Sequence, residues 1–463
     1  MKKFVNRKVL IILFFALLLA GAGVYYFFFY EQPKDDNKSY DEAQSAVESR
    51  NYSLALTKFK EAINEDPSLT DAYIQAADIL LNRNQDAEAI ELLEKGIDFA
   101  NDPSKIKAKM ADIYAHQANF EKALEYSDSQ SKPGYLALLG RMDEAKKEAG
   151  NISGGDAYSA FLQAIVNYDN LEKARGYAQN AASTSDDTKY TILKEKLDTL
   201  EEAEDNKVMN YMEIANIAIQ YDEGALAIII LNDVRTTNKY YEGSYIYEAY
   251  VRLSYGDYVK ALELLKSGGI YAPNNQDIPK LMAEAYYEQN DLTNATKYIQ
   301  KSLSFAQPAN DVKELAFQIY MAGKDYTKAL QQAEALVKAS PNNYVYARLK
   351  SKAQLALGKN AESEAFLSTF IEGHANSLTN EQRAVLLALT AFAQYGQNEK
   401  KEAKDSFAQA EALFSNSSEV SYYYGLFYKG QGEEVTADEY FQKAVDMDTT
   451  GEIALLAQVE LAK

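Results

Sequence analysis

Cysteine is absent from the 463 residues, and so is tryptophan. Without cysteine there are no disulfides, no thiolate zinc ligands and no thiol nucleophile. There are two histidines, His116 and His374, far apart in the sequence. Each reads as part of a solvated or partly packed helix surface, not as a metal ligand. No glycine-rich phosphate loop of the G-x-x-x-x-G-K-[ST] type occurs. Ser267, within Lys266-Ser267-Gly268-Gly269, reads as a helix end and not as a nucleophile. Neighbouring carboxylates such as Glu201-Glu202 and Glu433-Glu434 lie in strongly polar stretches and read as solvated faces. These absences set the expectation of a non-enzymatic protein with no cofactor and no metal.

Positive charge is in deficit. Against 68 acidic residues there are 48 basic ones, a formal charge of −20. Four of the basic residues, Lys2, Lys3, Arg7 and Lys8, crowd the first eight positions, so the remainder carries 44 basic against 68 acidic, or −24. A field of that sign repels nucleic acid and keeps a long chain soluble.

Those four basic residues precede an uncharged, largely apolar run from Val9 to Tyr30. As a helix it would span about 33 Å at ~1.5 Å per residue, against a hydrocarbon core of about 30 Å. The expectation is a transmembrane signal anchor over 9–30, with residues 1–8 on the cytoplasmic side and the rest outside. Tyr25 to Tyr30 form an aromatic cluster at the outer edge. The competing reading is a cleaved secretory signal at Ala20-Gly21-Ala22, which would release the chain. Residues 31–39 are polar with one proline and read as a short linker.

Beyond the linker a beat of 34 residues carries small side chains. It runs through Ala55, Ala89 and Ala123, through Ala261, Ala295, Ala329 and Ser363, and from Ala403 to Ala437. Around it lie Tyr52, Ala55, Phe59, Ala62 and Pro67; Tyr258, Ala261, Leu265, Gly268 and Pro273; and Tyr326, Ala329, Ala333, Leu336 and Pro341. Steps of three and four keep these side chains on one helical face, and the proline ends the unit. Preceding helices are looser, for example Tyr73, Ala76, Ala77 and Leu80, or Tyr424, Gly425 and Tyr428. Turns between them are marked at Asn82 to Asp86, Tyr255-Gly256-Asp257, Gln289-Asn290-Asp291, Gly323-Lys324-Asp325, Gly358-Lys359-Asn360 and Gly430-Gln431-Gly432.

A two-helix unit of this length cannot bury its apolar face alone and must stack on copies of itself. The residues resemble the tetratricopeptide repeat family over roughly 36–450, with Tyr424-Gly425-x-x-Tyr428 followed by Ala437, Phe441 and Ala444 as the best single match. Tyr73, Tyr158 and Tyr245 stand where the family has a large aromatic. The resemblance implies an all-α solenoid of about eleven or twelve helix pairs behind one N-terminal transmembrane helix. Its expected parts are a first block over 40–126, an irregular segment over 127–210, a second block over 211–450 and a capping helix over 451–463. Within the irregular segment, Ala145, Ala174 and Gly224 read as the small residues, Ser129 to Gly134 and Ser183 to Asp187 as loops, and Lys189 to Glu204 as an extra helix. The cap carries Ile453, Leu455, Leu456, Val459 and Leu461 as its apolar residues.

In such arrays the first helices line the concave side. Helical spacing then points Ile74, Asp78 and Leu81 into the groove, followed by Ile246 and Tyr250, by Lys280, Glu284 and Tyr287, by Glu314, Gln318 and Met321, and by Tyr422 and Leu426. Tyrosine offers large contact area at small entropic cost. Tyr286, Tyr320 and Tyr428 read instead as core. The expected function is a membrane-anchored scaffold that binds protein or peptide segments outside the cytoplasmic membrane, in envelope assembly, secretion or surface organisation. A chaperone that holds exported chains is the alternative. Composition and topology together suggest a bacterial envelope protein.

Overall fold

The computed structural model describes residues 37–448 and 451–463. Among these residues the chain forms 26 α-helices, one 3-10 turn at Glu204–Asn206 and no strand. The expected span over 9–30 lies outside the described residues. Among the described ones, no helix is long and apolar enough to cross a membrane.

The repeat is written into the backbone as well as the side chains. Between the helices of a pair, the chain passes through one left-handed residue with φ between +54° and +77°. These residues are Arg50, Asn84 and Ala118, then Asp222, Gly256, Asn290, Lys324 and Gly358, then Asn398 and Gly432, spaced by 34 within each run. The marked turns of the sequence contain several of them. The next residue often caps the second helix: Asn51, Asn119, Asp257, Asp291 and Asp325 each accept a hydrogen bond from the backbone N–H three positions on. Each such cap contributes about 0.5–2 kcal/mol.

Five residues after each left-handed position comes the small residue of the beat. Ala55, Ala89, Ala123, Ala261, Ala295, Ala329, Ser363, Ala403 and Ala437 are all fully buried. Four positions further on, Phe59, Leu265, Phe407 and Phe441 are fully buried too. The small side chain lets the paired helix approach, and the large one fills the space beside it. At Gly425 the approach is so close that a Cβ would stand 2.7 Å from the Phe441 ring.

The irregular segment obeys the same rule in part. Gly140 is also left-handed, and Ala145, five positions later, is fully buried; just past the segment, the same step from Asp222 leads to Ala227, also fully buried. The small residue of the unit that follows the turn at Asp222 is therefore Ala227. Gly224, assigned that place from the sequence, opens the helix Gly224–Thr237 against Val251. That helix is buried from Gly224 through Leu231, as an apolar run with no polar face requires. It packs on Lys132–Leu138, where a Cβ at Gly134 would stand 2.7 Å from that of Ala225. Gly134 was read as a loop residue. Its missing side chain instead lets two helices nearly 90 residues apart in sequence touch. The extra helix covers Thr188–Thr199 and stops short of Glu204, because Leu200 and the residues after it turn away to lead into the next pair.

At the N-terminal end, Asn37 caps the first helix, Lys38–Glu48, so Lys38 and Ser39 are helical and not linker. At the other end, the helix Glu452–Leu461 buries Ile453 and Ala457 but leaves Leu455, Leu456 and Val459 exposed.

The array is not an open rod. The tip of its first hairpin meets units more than three hundred residues later. Arg50 forms a bidentate pair with Glu381 at 2.7 and 3.2 Å, 331 positions away. The same guanidinium sits 5.2 Å from the centre of the Phe414 ring. Asn416 Nδ2 donates to the Ser49 carbonyl at 2.9 Å, and Ser53 Oγ meets Asp446. Gly451, at φ +75°, lies against the Asn82 carbonyl, leaving no room for a side chain. A small rotation repeated at every pair curves the stack. The sequence pattern fixes each neighbour contact but not the accumulated turn.

Candidate functional site

Three successive first helices, Lys207–Gln220, Glu242–Ser254 and Asp277–Glu288, form one wall. Between them runs a groove of about 530 Å³ lined by Asn216, Ile219, Gln220, Asp222, Ile246, Tyr247, Tyr250, Asp277, Lys280 and Leu281. Of the groove residues expected from helical spacing, Ile246, Tyr250 and Lys280 come together here. Ile246 is buried at its floor, whereas Tyr250 is 52% exposed. Lys280 pairs with Asp311 at 2.5 Å. Burial works against its charge, but Asp311 outweighs that and holds the ammonium above its usual value.

The other expected residues stand elsewhere along the array. Ile74 and Leu81 are half-buried against the core, and Asp78 pairs with Lys109 at 2.5 Å. Glu284 and Tyr287 are half-buried on the third helix of the wall. Burial pushes the Glu284 carboxyl above the usual range, partly opposed by Lys280. Glu314 accepts the Tyr346 hydroxyl at 2.6 Å, Gln318 is exposed and Met321 is half-buried. Tyr422 packs 6.0 Å from the Phe441 ring, and Leu426 packs into the same cluster. Tyr320 and Tyr428 are buried, while Tyr286 is half-buried and stacks on Tyr298 at 5.5 Å.

A second cavity of about 460 Å³ adjoins the groove and shares Ile219, Asp222 and Tyr250 with it. Its other walls come from units that the sequence keeps well apart: Asp112 and His116, Tyr135, Tyr158, Glu223 and Tyr255. Helical spacing could not have found these residues. Asp222, Glu223 and Tyr255 lie in turns, and the helix bearing Tyr135 reaches the site only through the contact at Gly134. The one available signal was Tyr255-Gly256-Asp257 itself, an aromatic in a marked turn.

The cavity is acidic and tyrosine-walled. The Tyr135 hydroxyl donates to Asp112 at 3.1 Å and the Tyr158 hydroxyl to Glu223 at 2.7 Å. Burial, reinforced by these carboxylates, raises both phenols well above the usual range. Burial and then Glu223, Asp112 and Asp222 push Tyr255 up to about 12. Burial likewise raises the Glu223 carboxyl, and the Tyr158 hydroxyl offsets part of that rise. His116 stacks on Tyr255 at 5.2 Å, and its Nδ1 donates to the Ser254 carbonyl at 3.0 Å. Gly256, at φ +72°, lies so close to the His116 carbonyl that a Cβ would stand 3.0 Å from it. His116 therefore joins two units. Among the described residues, no group of carboxylates and histidines is arranged to hold a metal ion.

Behind the wall lies a buried ionic cluster. Glu248 and Arg252 are 2% and 4% exposed. Arg252 donates to Glu248 at 2.8 Å, to Asp257 at 2.6 Å and to the Leu138 carbonyl at 3.0 Å. Arg235 meets the other oxygen of Glu248. Every partner is satisfied, which is what makes buried charge tolerable.

Residues 46–113 match the tetratricopeptide repeat family. The left-handed turn and buried small residue of that stretch recur to Gly432 and Ala437, so a tetratricopeptide-like solenoid extends through the array. No curated protein matches the chain. Among solved structures, it is similar to yeast Tom70, with 13% identity, 92% of this chain and 94% of that chain covered, and a TM-score of 0.33. It is similar also to the Cut9–Hcn1 hetero-tetramer of the APC/C, with 11% identity, 94% and 98% covered, and a TM-score of 0.35. A tetratricopeptide repeat protein from Parabacteroides merdae shares 14% identity over 61% of this chain and 99% of its own, with a TM-score of 0.34. These superpositions are loose, and the fold assignment rests on the helices themselves.

Proposed function

We propose that this protein is a non-catalytic scaffold that holds a polypeptide partner along the groove of its first helices, with residues 9–30 as a single membrane span and the array outside the cytoplasmic membrane. The observation that carries the binding role is the continuous groove and cavity, floored by Ile246 and edged by exposed Tyr250 and the exposed amides of Asn216 and Gln220. Tetratricopeptide-type stacks lend themselves to this use, because a rigid curved surface is built at no ordering cost when the guest arrives. The length and flanking charge of the 9–30 run support the membrane placement. Roles in envelope assembly, secretion or surface organisation follow from that placement.

The test is site-specific photo-crosslinking in intact cells. A crosslinker at Tyr250 is expected to trap a discrete protein, and one at exposed Val435, far along the chain, is not. Equal trapping at both positions, or at neither, would defeat the reading. Protease added to intact spheroplasts is expected to digest the array; full protection would defeat the membrane placement.

A further inference from the structure

The chemistry of the groove narrows its guest. We infer that it takes a basic polypeptide segment, with one lysine or arginine side chain seated in the cavity beneath Tyr250 and Tyr255, against Asp112, Asp222 and Glu223. This rests on the scaffold reading above and adds the partner's charge and the place where that charge sits.

The charge of the site complements a basic segment. The joined groove and cavity are lined by Asp112, Asp222, Glu223 and Asp277. Among the described residues their linings contain one permanent cation, Lys280, which already pairs with Asp311 at 2.5 Å. Nearby Arg252 is held by Glu248 and Asp257. Lys189 acts on Glu223 from outside the lining, sits 3.6 Å from Asp187 and is surrounded by the Tyr158, Phe161 and Tyr190 rings. His116 has one ring nitrogen committed to the Ser254 carbonyl. The cavity thus holds more negative charge than its own cations answer.

The wall of the cavity suits a cation as well. Phenol faces attract a cation held within about 6 Å, and the attraction grows as water is excluded. Tyr135 and Tyr158 each give one hydroxyl to a carboxylate, which fixes Asp112 and Glu223 in place while leaving acceptor sites open on each. The Lys189 ammonium, 5.6 Å from the Tyr158 ring, already places a cation against one of these aromatics.

The shape of the site fits an inserted side chain. The cavity, about 460 Å³, has room for a long side chain, and it opens through Tyr250 and Asp222 into the longer groove. A side chain can enter while the backbone lies across the exposed amides of Asn216 and Gln220. A metal ion is a poorer fit, since among the described residues no group of carboxylates is arranged to ligate one.

The test uses the full-length protein in detergent and short labelled peptides, identical but for a central Arg, Gln or Glu, with binding followed by fluorescence anisotropy. The Arg peptide is expected to bind about tenfold tighter than the Gln peptide at low salt, with the gap closing as salt rises and the screening length falls below about 10 Å. Asp222→Asn, which keeps a residue tolerant of left-handed backbone, and Tyr250→Ala, at an exposed position, are each expected to shrink that gap severalfold. Circular dichroism checks that both variants are folded. Equal affinity for Arg and Gln peptides would overturn the inference and leave the groove reading standing. A preference for Arg that survives both variants would overturn the assigned cavity. Binding of none of the peptides would overturn this inference, whereas the crosslinking at Tyr250 judges the groove reading on its own.

Discussion

The run of pairs from Glu242 to Met447 and the contact between Lys132–Leu138 and Gly224–Thr237 solve the same packing problem in different ways. In the regular run, each pair carries a fully buried small residue, alanine or Ser363, with an apolar residue four positions on, and the left-handed turn recurs every 34 residues on either side of one longer step between Gly358 and Asn398. At the irregular contact, one helix is apolar on every side from Gly224 through Leu231, two segments far apart in sequence close on a glycine, and the charges behind them are neutralised in a buried cluster. The first arrangement is local and repeats. The second is long-range and is made once. The regular run thus tolerates drift in individual units, while the irregular contact depends on a few residues and, in return, builds the cavity.

The comparison can be broken most severely in the regular run. Phe407→Ala removes a fully buried ring that stacks on Tyr424 at 4.6 Å, and should cost about 3–5 kcal/mol in denaturant unfolding. A loss below about 1 kcal/mol would show that the aromatic of the beat is not what holds the pairs. The irregular contact is tested by overpacking. Gly134→Val should cost about 1–3 kcal/mol or more, because its side chain must displace Ala225. Gly373→Ala, with nothing within 4 Å of the new Cβ, should be neutral or stabilising by up to about 1 kcal/mol. Equal effects at the two glycines would remove the distinction.

The smallest effect sharpens the comparison through pH. Burial raises the Glu223 carboxyl above the usual range, so the folded chain binds that proton more tightly than the unfolded chain does. Its contribution to stability is full below the unfolded carboxylate pKa and is lost as pH rises through the folded value. Glu223→Gln should remove that slope. Thermal unfolding is expected to show the variant gaining on the native chain at neutral pH and the gain vanishing in acid. A difference independent of pH would contradict this account.

What the sequence made legible follows the local character of each device. The beat at Ala55 to Ala437, the capping residues and the turns at Gly256, Asn290 and Lys324 all act within one unit, so spacing alone exposes them. Gly134 misled because a Pro-Gly pair at the end of a polar stretch looks like a loop whether it serves a turn or a close approach. Gly224 took the place of Ala227 because three residues of drift cannot be corrected without the turn at Asp222. Within the candidate site, Ile246, Tyr250 and Lys280 were reachable because they repeat on successive first helices. Asp112, Tyr135, Glu223 and Tyr255 were not, since only the long-range contact brings them to one cavity.

The pairing of Arg50 with Glu381 has a further consequence. A linear stack frays from its termini, because a terminal unit has one neighbour instead of two. Here the first unit has a second neighbour supplied by the far end. Each of these contacts is weak, and the Arg50–Glu381 pair is itself half-exposed. Together they remove the free end from which melting would start. The array should therefore lose its structure in one cooperative step, and cutting away the first hairpin should loosen helices near Glu381 and Asp446 before those in the middle of the chain.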